Sequence, residues 1–165
     1  MLLIHLISGV SVDCPNVIKL AMQMKMNTSQ PSIMSQLNAD CCTAQGVTCD
    51  SSTRVTQIFW VSLSPPLTGI INGTLLPPFL TGLRLTNNKL TGSIPRMWPS
   101  GLLGLDISRN PLNCVSPGPW PSSLILLHLN GLSCTGSAGL FPSNLQELFL
   151  GWFGDYSRKT NFLVL

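Results

Sequence analysis

Charged side chains are scarce in this sequence. Asp, Glu, Lys and Arg make up 9% of its 165 residues, and the formal net charge is only +3. The nine Lys and Arg are scattered without a run, so the basic surface that nucleic-acid binding needs is missing. No window approaches about 18 uninterrupted apolar residues, so the positive mean hydropathy reflects abundant Leu and Ile rather than a membrane span. There is no Cys-x-x-Cys pair, and neither His5 nor His128 lies near the clustered cysteines, which weighs against a zinc site. A Gly-x-Ser-x-Gly elbow, a phosphate loop and a metal-spaced carboxylate set are also lacking. Catalysis has no motif to rest on, and no cofactor or metal is expected.

What is abundant is leucine at fixed intervals. Leu80, Leu83, Leu85, Asn88 and Leu90 follow the spacing L-x-x-L-x-L-x-x-N-x-L, completed by Gly92, Ile94 and Pro95. Leu83 and Leu85 alternate as on a short strand with both side chains turned inward, while Leu80 and Leu90 fill the core from either side. Asn88 is placed to bond backbone groups that the strand leaves unpaired. Such a unit cannot bury its own apolar face and must stack on copies of itself. Copies follow: Leu102, Leu105, Ile107, Asn110 and Leu112; then Leu124, Leu127 and Leu129; then Leu145, Leu148 and Leu150, at shifts of 22, 22 and 21 residues. Each is preceded by an aromatic, Pro and Ser, at Trp98–Ser100, Trp120–Ser122 and Phe141–Ser143. Rings at that period can stack on the convex side, with Pro keeping the segment out of a helix. Val55, Ile58, Trp60 and Leu63 read as a degenerate first unit, with two extra residues near Ser64-Pro65-Pro66. In the third unit Leu132 stands where counting expects Asn, and deleting two positions would align Asn130 with Asn110 and Cys134 with Cys114. On that alignment the two cysteines are either bridged across neighbouring coils or buried free thiols.

Six cysteines, Cys14, Cys41, Cys42, Cys49, Cys114 and Cys134, are an even set, and four precede the repeats. That suits a disulfide-closed cap made in an oxidising compartment, with zinc as the competitor. Residues 1–12 resemble a curtailed secretory segment that lacks a basic start; a mis-started reading frame fits as well. Val17, Leu20, Ala21 and Met24 predict a helix over about residues 15–26, started by Asp13 and Pro15, with Pro31 ending any continuation. Of Met22, Met24 and Met26, some are expected in the core and some exposed rather than forming a binding patch. Asn27-Thr28-Ser29 and Asn72-Gly73-Thr74 are possible glycosylation sites, at Asn27 and Asn72.

Asp40-Cys41-Cys42, then Gly46-Val47-Thr48-Cys49-Asp50 and Arg54-Val55-Thr56, closely resemble the N-terminal cap of plant-type leucine-rich repeat proteins. The Leu-Thr-Gly-x-Ile-Pro ending at Leu90–Pro95 is a hallmark of the same class, and the likeness covers roughly residues 14–150. It implies an α/β leucine-rich repeat solenoid: a short parallel concave sheet, an irregular convex side, and a helical cap with Cys14 paired to Cys41 and Cys42 to Cys49. It also implies an extracellular binding module, secreted or at the cell surface, that recognises a protein, peptide or cell-wall glycan. The alternatives are an inhibitor of a secreted wall-degrading hydrolase, or a nonfunctional fragment of a longer receptor-like ectodomain. One departure is local: the aromatic usual before the Gly-Val segment is replaced by Ala44 and Gln45.

The expected organisation is a possible signal segment (1–12), a cap (13–54), four to five coils (55–154) and an irregular tail (155–165). Strand positions between buried leucines face the concave side, which nominates Phe59, Arg84, Asp106, His128 and Phe149. Flanking positions add Gln57, Thr86, Asn87, Ser108, Arg109, Asn130 and Glu147 as ligand contacts. The plainer reading is a solvated strand surface with Arg84 and Asp106 paired across coils. His128 and Asp106 could form a dyad, but on an open face rather than in a water-excluding pocket. After Leu150 no repeat or cap is visible, and the reading preferred from the sequence is an incomplete array with an apolar edge open to end-to-end self-association. The other readings are a tail folded across that edge through Trp152, Phe153, Phe162 and Leu163, or a shift of reading frame near Gly151.

Overall fold

The computed structural model describes residues 10–113, 119–132 and 141–150, and the backbone of 162–163. Residues 1–9, Cys114, Cys134, Gly151, Trp152 and Phe153 lie outside the described residues, so the leader and the Cys114–Cys134 bridge stay as expectations from sequence.

The chain starts with three helices: α1 (Cys14–Gln23), α2 (Met26–Ser29) and α3 (Pro31–Asp40). Val17, Leu20, Ala21 and Met24 are buried as their spacing predicts, and so is Met26, while Met22 is exposed. Helix α2 stops just before Pro31, but Pro31 does not close the helical cap. It opens α3 at the first turn, where its missing N–H forfeits no helical bond. Only Ile33, Met34 and Leu37 of that helix are buried, too few for a clear period in the sequence. Cys14–Cys41 and Cys42–Cys49 are both disulfides, so all four sulfurs are committed to covalent bonds. The first closes a separation of 27 residues, a cross-link that limits the unfolded chain by roughly 3 kcal/mol on the chain-entropy account.

Asp13 stands at the N-cap of α1, as its place in the sequence suggests, but its side chain is used elsewhere. Its side chain makes no capping bond. Arg54 donates to both of its oxygens, from Nε at 3.0 Å and Nη2 at 2.9 Å, and the Val55 N–H donates to Oδ2 at 3.0 Å. Burial alone would raise the Asp13 pKa, but these bonds to the charged form outweigh it and hold the carboxyl below its ordinary value. The start of α1 is thus tied to the first residue of the array.

Strand β1 (Val47–Cys49) pairs antiparallel with β2 (Val55–Phe59). Beyond it come β3 (Thr68–Gly69), β4 (Gly82–Arg84), β5 (Lys89–Leu90), β6 (Gly104–Asp106), β7 (Leu126–His128), β8 (Glu147–Phe149) and β9 (Phe162–Leu163). One sheet runs β1-β2-β4-β6-β7-β8-β9, with the five central strands parallel, and β3 pairs with β5 in a second. This is a leucine-rich repeat solenoid of about four coils. Leu83, Leu105, Leu127 and Leu148 lie side by side in the sheet and point into one continuous core. Trp98 and Trp120 stack on the convex side, centroids 6.1 Å apart, as the recurring aromatic predicts.

Two contacts seat the cap on the array. The N–H groups of Thr68 and Ile70 donate to the Met24 and Gln23 carbonyls, which end α1 without helical partners. Gly69 lies between, at φ +106°, where a Cβ would come within 2.2 Å of the Gln23 carbonyl oxygen; only glycine fits. The missing aromatic near Ala44 and Gln45 has a replacement from the array: the Trp60 indole lies there and donates to the Gln45 carbonyl at 3.1 Å.

Two buried asparagines hold the turns after the strands. Asn88 Nδ2 donates to the carbonyls of Trp60 and Leu85, and its Oδ1 accepts from the Leu67 N–H. Asn110 repeats this one coil on, donating to Leu85 and Ile107 and accepting from Leu90. In the next coil the register differs from the alignment by deletion. Asn130 accepts from the Arg109 N–H as Ser108 accepts from Asn87, so it sits level with Ser108, and buried Leu132 takes the asparagine slot. At the far end, β9 pairs antiparallel with β8 through Phe149–Phe162 and Leu148–Leu163. The edge of β8 is therefore occupied by backbone, rather than open as the incomplete-array reading has it.

Replacing Asn110 with Leu copies the natural state of position 132 but strands two buried backbone groups, the Ile107 carbonyl and the Leu90 N–H, each costing about 1–3 kcal/mol. Asn110→Leu should lose roughly 3 kcal/mol or more in urea unfolding, and Asn130→Leu under 1 kcal/mol. Equal losses would contradict the assignment of the turn to Asn110.

Candidate functional site

The parallel register brings the five residues nominated between buried leucines into one row. Phe59 pairs with Arg84, Arg84 with Asp106, Asp106 with His128, and His128 with Phe149. A second row on the same face runs Gln57, Gly82, Gly104, Leu126 and Glu147. Within these rows the side chains pair differently from the sequence expectation. Arg84 does not meet Asp106; its guanidinium lies over the Phe59 ring at 5.0 Å. Gly82 permits this, because even a Cβ there would approach the Phe59 ring to 3.2 Å.

Asp106 turns the other way. It accepts from the Ser108 N–H and bonds the Ser108 hydroxyl, while His128 Nδ1 stands 3.7 Å from its other oxygen, an ion-pair distance rather than a hydrogen bond. His128 Nε2 reaches Glu147 Oε1 at 3.2 Å, and Phe149 meets the imidazole edge-on at 4.4 Å. Burial would lower the His128 pKa, but the two flanking carboxylates outweigh it and raise the value. For Asp106 burial acts upward, but the ion pair with His128 and the hydrogen bonds from Ser108 prevail, so its pKa falls. Ser108 and His128 share one carboxylate, with Asp106 between them. A catalytic triad needs histidine in the middle, facing the hydroxyl, so this cluster is not built for serine activation.

Not every nominated residue is available to a ligand. Ser108 is buried, bonded also to the Thr86 hydroxyl at 2.8 Å, and acts as a strut beneath the surface. Asn87 and Arg109 are exposed and occupy the left-handed turn position of successive coils, with φ of 56° and 53°. Asn87 also bonds the Ser62 hydroxyl at 3.0 Å. Thr86 and Asn130 are half-buried along the same rim. The sequence reading missed Gly104 and Leu126 on the face and exposed Leu103 beside it. A signal for the leucines was present: in Leu102-Leu103 and Leu126-Leu127, neighbours cannot both point inward. Around Gly104 the floor is bare, with nothing within 4 Å of where a Cβ would stand. The surface therefore has a cationic-aromatic end, a bare middle flanked by leucines, and an acidic end holding His128.

No helix among the described residues is long and apolar enough to cross a membrane. No protein-family model and no curated protein sequence matches the chain. Solved structures do. The PEPR1-AtPEP1 crystal structure aligns at TM-score 0.66 and 23% identity, over 84% of this chain and 21% of that one. The leucine-rich repeat ectodomain of the receptor kinase SOBIR1 from Arabidopsis thaliana aligns at 0.56 and 23%, over 76% and 70%. The BIR3–SERK2 complex from the same plant aligns at 0.50 and 24%, over 70% and 69%. The chain thus spans about a fifth of the PEPR1-AtPEP1 chain. Its fold is the plant-type leucine-rich repeat fold of these ectodomains.

The electrostatics fix a sign for pH dependence. A raised His128 pKa stabilises the fold below the ordinary value of 6.5, and that stability is lost as pH rises through the folded value. A lowered Asp106 pKa stabilises above 3.8, and that contribution is lost as pH falls through its folded value. The cluster should therefore stabilise most between those limits. In an NMR titration, His128 should titrate above 6.5, and Asp106→Asn with Glu147→Gln should return it toward or below that value; an unchanged midpoint would contradict the pairing.

Proposed function

We propose that this chain is an extracellular recognition module, secreted or at the cell surface, and that its concave face binds a segment of a partner protein or peptide. The observation that carries the reading is the in-register row Phe59, Arg84, Asp106, His128 and Phe149, beside a floor left bare at Gly104. An extended segment laid across the strands meets a guanidinium on an aromatic ring, exposed backbone with leucines, then two carboxylates around an imidazole. Such a mixture discriminates by charge order as well as by apolar contact. Aromatic and Arg side chains are also the types that dominate binding energy at interfaces. Two disulfides in the cap support the extracellular setting. Two of the similar structures support the role: SOBIR1 is the ectodomain of a receptor kinase, and BIR3 is found in a complex with SERK2.

The bare floor supplies a test that leaves the fold alone. Gly104→Gln adds a side chain where nothing lies within 4 Å, and Arg84→Glu reverses an exposed charge; each should shift stability by no more than about 0.5 kcal/mol. Binders selected from a displayed library of random peptides should lose affinity at least about tenfold, some 1.4 kcal/mol, with either variant. Lys19→Glu, an exposed charge reversal on α1, should leave them unaffected. Binders that tolerate both concave substitutions would place recognition elsewhere.

A further inference from the structure

Away from the strand ladder, between β3 and β4, the chain makes a short 3₁₀ turn, Gly73–Leu75. Beside it lies a cleft of about 280 Å³, at the small end for sites that take a small molecule. Its walls include Ile70, Pro95 and Met97. Ile70 is 48% and Met97 58% exposed, so two large apolar side chains face water side by side on the convex half of the coil. The opposite wall is Asn72-Gly73-Thr74, an acceptor sequence for N-linked glycans.

The geometry of that wall is specific. Asn72 Oδ1 accepts both the Thr74 N–H, at 3.0 Å, and the Thr74 hydroxyl, at 2.8 Å. Its Nδ2 makes no hydrogen bond among the described residues. Gly73 between them is dictated by packing: a Cβ there would come within 2.2 Å of the Met97 carbonyl oxygen. The sequon is therefore held flush against the Pro95–Met97 segment, and Asn72 itself lines the apolar cleft. The other sequon lacks such a setting. Its Ser29 hydroxyl donates to the Lys25 carbonyl at 3.1 Å, and Asn27 lies exposed on α2.

We infer that Asn72 carries an N-linked glycan whose first N-acetylglucosamine packs its apolar ring face over Ile70 and Met97. The transfer requires a lipid-linked diphosphate oligosaccharide as donor. A bond forms between the sugar C1 and Asn72 Nδ2, the C1–O bond to the diphosphate breaks, the amide loses one proton, and the lipid diphosphate leaves. Asn72 lies at the 3₁₀ turn, outside the strands that carry the concave ladder, so the glycan covers exposed apolar surface without occupying those strands.

The test uses the full chain, secreted from eukaryotic cells behind a leader and trimmed enzymatically to one sugar per site. Peptide mass mapping should find N-acetylhexosamine on Asn72 in the native sequence and in Thr74→Ser, and none in Thr74→Ala. In dilute peroxide, Met97 of the trimmed protein should oxidise about threefold more slowly than in Thr74→Ala. Met22, 52% exposed on the cap, should oxidise equally in both and serves as the internal reference. An unmodified Asn72 in the secreted chain would overturn the assignment. Equal Met97 rates with and without the sugar would overturn its packing on the cleft.

Discussion

Everything in this molecule hangs on how a chain leaves a one-layer parallel sheet without stranding its backbone. Each of the five parallel strands is only three to five residues long, and backbone groups at the turns after β4 and β6 are buried between coils. Asn88 and Asn110 solve the problem by standing in for peptide groups. One carboxamide supplies two donations and one acceptance, and it does so to two coils at once. The Leu85 carbonyl accepts from both asparagines, so the bonds form a continuous line through the stack. The leucines provide the free energy of burial, but they are non-directional. The buried amides set the spacing at which the leucines meet.

That division explains what was legible in the sequence. The solenoid and its strand register were readable because a leucine has to recur at each coil to reach the shared core, and a period displays itself. The row from Phe59 to Phe149 followed from alternation alone. Side-chain pairing within it did not. Nothing in the spacing distinguishes Arg84 facing Asp106 from Arg84 folded onto Phe59; the choice depends on the absence of a Cβ at Gly82. Ser108 likewise reads as surface until its hydroxyl is seen between Thr86 and Asp106.

The cap was read less completely, because its order is not periodic. Helix α3 has a polar composition and is defined by what it packs on and by the Cys14–Cys41 bond across its end. Asp13 has the residue type and position of a helix cap, yet a half-buried arginine partner 41 residues away outcompetes the local N–H groups for its side chain. Sequence windows weigh neighbours, whereas a long-range charged bond is invisible to them. The same limit applies to Asn130, where a nearby asparagine invited an alignment by deletion and the backbone instead placed Leu132 in the slot.

The strict equivalence of the central strands has a consequence for how such a chain changes over generations. Leu83, Leu105 and Leu127 are mutually in register and separated by 22 residues each, so the interval between any two is an interchangeable cassette. Loss or duplication of that many codons leaves the reading frame intact and presents the same pair of surfaces at the splice. What changes is the length and charge order of the recognition row. Length of the array and identity of the partner can thus drift together by unequal recombination, with no new fold required.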